Sequence, residues 1–234
     1  MLFRSLGDDY RGQVNALRSA IPQNSTVLTY ESPQLPAIRE MAQEKHCALL
    51  VADLNVGEIP LGTPRVNVAL AVAACNLAGV PPEQSLTTVR EEARRVRDEV
   101  FDIEPCSKFV NGFAINDVTT ADNFIKYWRS VLPQTTGTLV LLNTRQDRPL
   151  RTRAFARWLG ELPDRAGVIL IGTHVPYARR RLAAAGVPRD HVVYWSQREL
   201  PVVRRKLESL AGQNTLVVGL GNIAGDGHRV LAAL

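Results

Sequence analysis

Three short segments of this 234-residue chain gather Asn, Asp, Arg and Gly, residues suited to binding and orienting polar ligands. Asn116 and Asp117 stand together after an apolar run, where they could orient a nucleotide, a metal-bound water or an amine. Asn143-Thr-Arg-Gln-Asp-Arg148 follows a second apolar run, and Arg151 comes soon after it. Arg145, Arg148 and Arg151 offer planar forks that pair with carboxylate or phosphate by bidentate hydrogen bonds. Gly219-Leu-Gly221-Asn222-Ile-Ala-Gly225-Asp-Gly227 follows a third run and opens a helix. Glycines there admit close backbone approach, and a helix N-terminus attracts anions.

Each segment also has a plain structural reading. Asn116-Asp117 could be a turn with a cap for the next helix, and Asp147 to Arg151 a capping pair. The glycine run lies at the last strand, with no acidic residue about 20 positions on, so a nicotinamide fingerprint is rejected. His174 and His191 have no partner at ligand spacing, and no nucleophile elbow or Cys/His pattern stands out, so no metal site is assigned.

What must position these groups is an alternation of helices and strands. Apolar spacing predicts helices over residues 8–20, 35–45, 64–78, 82–97, 121–132, 151–162, 175–185, 199–211 and 225–234. Strands are predicted over 25–30, 47–52, 109–114, 138–143, 167–172, 191–195 and 215–219. Gly79, followed by Pro81 and Pro82, suits a helix C-cap. Residues 98–108 have weak periodicity and are expected to be a connection, with a domain boundary near 98. After it, TLVLLN, GVILIG and TLVVG are continuous apolar runs, as in strands covered on both faces. The class is α/β, with a doubly wound, mostly parallel sheet in the second half. In such sheets ligands bind beyond the carboxyl ends of the strands, where the three segments fall.

Bulk properties narrow the partners. The apolar content of 45% excludes a disordered chain. A net charge of +5 gathers as arginine at residues 90–97, 145–157 and 179–189. The basic stretches lack interleaved aromatics, which argues against nucleic acid. Cys47, Cys75 and Cys106 fit no zinc pattern and no disulfide framework. Cys47 and Cys75 are expected to be buried small hydrophobes in a reducing cytosol. Residues 1–6 are too short for a signal peptide, and no apolar run approaches the ~20 residues of a membrane span.

Together, Phe109-Val-Asn-Gly-Phe-Ala-Ile-Asn-Asp117, Asn143-Thr-Arg-Gln-Asp-Arg-Pro-Leu-Arg151 and Val218-Gly-Leu-Gly-Asn-Ile-Ala-Gly225 resemble the ligase subunit of poly-γ-glutamate synthases, the capsule biosynthesis ligases of the Mur-ligase superfamily. The likeness covers residues 109–234. Upstream, Gly62-Thr-Pro-Arg-Val-Asn67-Val-Ala-Leu-Ala71 resembles the end of a Mur-ligase central domain, with Thr63 and Pro64 where such ligases often have a histidine. The resemblance implies a remnant of a central ATPase domain over 1–97 and a Rossmann-like C-terminal ligase domain over 98–234. It implies an ATP-dependent amide ligase using ATP and Mg2+, an acyl phosphate and an attacking amine. By the same resemblance Asn116, Asp117 and Arg145 are catalytic. Asn67, Arg97, Arg148, Arg151, Gly219, Gly221, Asn222 and Gly225 bind nucleotide or substrate.

The implied partners are glutamate or a poly-γ-glutamate chain, a separate N-terminal P-loop piece and membrane subunits of a synthase complex, and no nucleic acid. The implied location is cytoplasmic, meeting the inner face of a membrane through partners. No Gly-x-x-Gly-Lys-Ser/Thr pattern occurs in the sequence, so little ATP turnover is expected of the chain alone. The alternative is a non-catalytic module that binds nucleotide or acidic polymer.

Overall fold

A computed structural model describes residues 17–57, 59, 65–97 and 100–234, without the side chains of residues 93–97. The chain divides into two compact units that part between Arg94 and Arg95. Among the described residues no helix is long and apolar enough to cross a membrane.

The first unit contains strand β1 (Thr26–Tyr30), helix α1 (Leu35–Glu44), strand β2 (Ala48–Ala52), helix α2 (Arg65–Leu77) and all but the last three residues of helix α3 (Pro82–Arg97). Of the helix expected over 8–20, residues 17–20 are helical and the rest lie outside the described residues. β1 and β2 pair in parallel, Thr26 opposite Ala48 and Tyr30 opposite Ala52. Ala52, Val56, Val68 and Ala69 form a small buried core under Leu28, Leu70 and Leu86. Gly79 takes φ +84° just past α2, a left-handed conformation that glycine adopts without steric cost. The continuous apolar run of β2 predicts burial on both faces, yet Leu50 and Val51 are 38% and 39% exposed. In the two-stranded pairing, neighbours cover Ala52 but leave those two side chains in solvent. Cys47 and Cys75 are half-buried rather than fully buried, and Cys106 is exposed. The Cys47 thiol lies 3.1 Å from the Pro22 carbonyl, where it acts as a weak donor at the unit's surface.

The second unit holds strands β3 (Val100–Ile103), β4 (Ser107–Gly112), β5 (Gly137–Thr144), β6 (Arg165–Gly172), β7 (Val192–Tyr194) and β8 (Thr215–Leu220). Its helices are α4 (Val118–Val131), α5 (Pro149–Glu161), α6 (Val175–Ala184), α7 (Val203–Leu210) and α8 (Asp226–Ala232). The strands form one sheet in the order β3-β4-β8-β5-β6-β7. All pairs are parallel except β3 with β4. The segment expected to be a connection therefore contains an antiparallel edge strand. Its four residues, interrupted by exposed Asp102, are too few to show a period.

Alternation along the strands feeds two cores. Val140, Leu142, Val168, Leu170, Leu216 and Val218 face α4, α5 and α6. Leu139, Leu141, Ile169, Ile171 and Val217 face α7 and α8. Each fully buried side chain of this size contributes roughly 1.5–3 kcal/mol, which explains why the central strands read as unbroken apolar runs. Helices that follow β4 and β5 cover one face, while the helix after β8, which lies between them, covers the other. Successive loops thus diverge at the carboxyl ends of β4, β8 and β5 and leave a crevice.

Candidate functional site

That crevice is lined by Asn143, Thr144, Arg145, Arg148, Arg151, Thr152, Gly221 and Asn222. Its floor is set by Asn143, which is 4% exposed at the end of β5. The Asn143 side-chain amide donates to the Asn222 carbonyl at 2.7 Å and to the Ala224 carbonyl at 3.2 Å. Thr144 Oγ1 donates to the Ile171 carbonyl at 2.9 Å and accepts from the His174 backbone N–H at 3.2 Å. The Gln146 backbone N–H donates to Thr173 Oγ1 at 3.1 Å. The loop after β5 is therefore pinned on both sides, to the loop after β8 and to the loop after β6.

From this base rise three arginines. Arg145 makes a two-pronged pair with Asp147, Nε to Oδ1 at 2.8 Å and Nη2 to Oδ2 at 2.7 Å. Arg148 Nε stands 3.7 Å from the same carboxylate. Asp147 thus pairs backward with Arg145 instead of capping toward Arg151, and α5 starts two residues earlier than expected because Pro149 occupies its first turn. The hydrogen bond from Arg145 holds the Asp147 carboxyl below its usual range, opposed by partial burial. Arg151 donates through Nη1 to the Gly221 carbonyl at 3.1 Å. Burial lowers the Arg151 pKa, and the charges of Arg148 and Arg145 lower it further, while Asp147 and Asp117 oppose them. Three guanidinium groups near one carboxylate leave net positive charge in a partly desolvated cleft, and an anionic ligand would relieve it.

The other candidates separate into groups. Asp117 caps α4, its Oδ1 accepting from the Thr120 backbone N–H at 2.8 Å, while its charge is also felt by Arg151. Asn116 is exposed beside it. Gly219 lies inside β8, where a Cβ would meet the rings of Phe113 at 2.8 Å and Phe109 at 2.9 Å. Its lack of a side chain serves packing under those rings. Gly221, at φ +99°, lets the chain turn over Asn143, whose carbonyl would sit 2.6 Å from an added Cβ. Gly225 precedes α8, whose first turn already holds the buried Asp226 carboxylate, paired with Arg229 at 3.3 Å. That carboxylate lies where an anion on the glycine run would bind. Asn67 is exposed on α2 in the first unit. Arg97 ends α3, and its side chain lies outside the described residues, as do residues 61–64. Asn143 and Thr144 were not singled out from sequence. The available signal was an amide ending an otherwise apolar strand.

Residues 100–234 match the family described as the poly-gamma-glutamate synthase CapB C-terminal domain, more than half of the chain. The chain belongs to that family. It is 23% identical over 228 residues to the PGA synthase CapB of Bacillus subtilis (strain 168), covering 90% of this chain and 56% of that protein. It is 26% identical over 226 residues to the capsule biosynthesis protein CapB of Bacillus anthracis, covering 90% and 47%. The chain thus spans about half the length of these curated relatives. Among solved structures it resembles a murein peptide ligase from Psychrobacter arcticus, with TM-score 0.64, 10% identity and coverage of 94% of this chain and 54% of that one. It also resembles E. coli FolC in complex with DHPP and ADP, with TM-score 0.61, 15% identity and coverage of 97% and 56%. This poly-gamma-glutamate synthase family domain therefore has the fold of Mur-type ligases, and its arginine cleft lies at the carboxyl edge of that fold.

Proposed function

We propose that the chain carries the C-terminal ligase domain of an ATP-dependent amide ligase of the poly-γ-glutamate synthesis type. The observation that carries this reading is the cleft of Arg145, Arg148 and Arg151 at the strand ends of a family member. In the reaction, a glutamate carboxylate oxygen bonds to the γ-phosphorus of ATP and ADP leaves. The amine of the next glutamate then attacks the acyl carbon, phosphate leaves, and the amine gives up a proton. Carboxylate, transferring phosphoryl and departing phosphate are all anionic, and the three arginines would hold whichever of these enters the cleft. Asn116 and Asp117, beyond the end of β4 and separated from β5 by β8, would face the nucleotide or the incoming amine.

The cleft suits phosphate and carboxylate, and it does not suit Mg2+. Among the described residues no cluster of three His, Cys, Asp or Glu could hold a metal ion, and the arginines would repel one. A cytoplasmic location, membrane subunits of a synthase complex and a separate P-loop piece belong to the same proposal.

The test is glutamate-dependent ADP release, measured for the chain alone and with a P-loop-bearing portion of a family member added. Stimulation in the mixture, lost in Arg148→Ala, is expected. If no combination releases ADP while the chain still binds γ-glutamate oligomers, the domain is a non-catalytic binder of acidic polymer.

A further inference from the structure

The arginine cluster at 179–189 takes no part in the cleft. Between Gly172 and Arg198 the sequence has four arginines and a single acidic residue, Asp190. Pro176, Arg179, Arg180 and Ala183 recur at helical spacing and form one face of α6. With Val187, Arg189 and Val192 they line a groove of about 490 Å3. Its floor is apolar, with Val187 3% exposed. Arg179, Arg180 and Arg189 are exposed and have no hydrogen bond or ion pair among the described residues. By contrast, Arg181 of the same helix lies over the Tyr177 ring at 4.9 Å, and Arg145 is held by Asp147.

The groove also has a direction. α6 leaves the carboxyl end of β6 and runs back along the sheet, and β7 returns beside it as the edge strand. Ten helical residues at about 1.5 Å each cover roughly 15 Å. One end, at Pro176, adjoins the loop where Thr173 accepts from the Gln146 backbone, at the rim of the arginine cleft. The other end, at Arg189, opens on the far edge of the sheet.

From this we infer that the α6–β7 groove is a second binding site, for a polymer bearing regularly spaced carboxylates, namely the poly-γ-glutamate chain outside the reacting end. The inference rests on the functional proposal above for the identity of the polymer. A γ-linked chain places methylenes in its backbone and carboxylates at its sides. The methylenes suit the floor of Ala183, Val187 and Val192, and the carboxylates suit the forks of Arg179, Arg180 and Arg189. No aromatic ring lines the groove, so it offers no platform for stacking nucleic-acid bases.

The experiment is fluorescence anisotropy of labelled γ-glutamate oligomers with the full chain, with R179E/R180E, with Arg189→Gln and with Arg157→Ala. Single-stranded DNA of equal charge and anionic phospholipid vesicles serve as comparison ligands. Circular dichroism checks folding of each variant. The double charge reversal is expected to weaken oligomer binding by about tenfold or more, and Arg189→Gln by about threefold, whereas Arg157→Ala changes it little. The site is refuted if folded R179E/R180E binds as the parent does, or if DNA or vesicles bind more tightly than the oligomer. No oligomer binding by the parent chain, with ADP release intact, would refute the groove alone. Absent ADP release with groove-dependent binding intact would refute the catalytic proposal and leave the groove standing.

Discussion

The side-chain amide of Asn143 donates to the backbone carbonyl of Asn222 at 2.7 Å, joining the end of β5 to the loop after β8. Its second contact, to Ala224, leaves both amide hydrogens committed to one loop. Asn143→Leu would strand these two carbonyls and is expected to cost about 1–3 kcal/mol in urea unfolding. Asn143→Asp, which sets a carboxylate against two carbonyl oxygens, should cost at least as much. A variant as stable as the parent would mean that the loop is held by other contacts.

Gly221 and Gly225 both have positive φ, at +99° and +69°, but only Gly221 lacks room for a Cβ. Gly221→Ala combines backbone strain with a clash against the Asn143 carbonyl and is expected to lose about 3 kcal/mol or more. Gly225→Ala meets open space and should lose less, about 1–3 kcal/mol, the conformational part alone. Paired thermal melts of the two variants test this order.

Asp117 caps α4, and its charge is felt by Arg151 of the cleft. Removing the cap in Asp117→Ala is expected to cost about 1 kcal/mol, while Asp117→Asn keeps an acceptor and most of that stability. ADP release in the reconstituted mixture then separates the roles. A loss in the Asn variant at unchanged melting temperature assigns Asp117 to the reactants. Activity that follows stability in both variants assigns it to the helix.

Arg151 is the desolvated member of the cleft. Arg151→Ala is expected to weaken tripolyphosphate binding by about tenfold, measured by calorimetry, and Arg151→Lys by less, since charge remains but the fork is lost. Arg157 on the same helix is 84% exposed and, among the described residues, pairs with Glu161 alone, at 3.6 Å, so Arg157→Ala should leave binding unchanged.

Among the described residues, two carboxylates titrate below their ordinary range. Asp147 is lowered chiefly by the Arg145 hydrogen bond, and Glu199 by the Lys206 hydrogen bond and then the Ser196 backbone N–H. A carboxylate with a lowered folded pKa adds stability above its unfolded value and loses it as pH falls through the folded one. These two contributions should therefore persist at neutral pH and disappear only in acid, below the usual Asp and Glu range. Both groups are largely solvated, so the effect on stability is small. Carbon-detected NMR titration gives the midpoints directly, and Arg145→Ala should move that of Asp147 upward.

Composition and the apolar runs alone were enough for the α/β class, the parallel strands and the edge of the sheet where charge collects. TLVLLN, GVILIG and TLVVG can be read because a strand covered on both faces has no polar position to interrupt it. The three motifs of the second half were also legible as a family resemblance, since their residue types and order survive without coordinates. The edge strand at Val100–Ile103 was not legible, because four residues carry too little period and only pairing with Ser107–Gly112 makes them a strand. Nor could spacing reveal that Asp147 turns back to Arg145, that Gly219 makes room for Phe109 and Phe113, or that Asn143 locks the loop 79 residues away. Those are contacts between segments distant in the chain, or choices among neighbours of equal charge. Only packing of the sheet and its helices decides them, because only there do distance and desolvation select one partner from several.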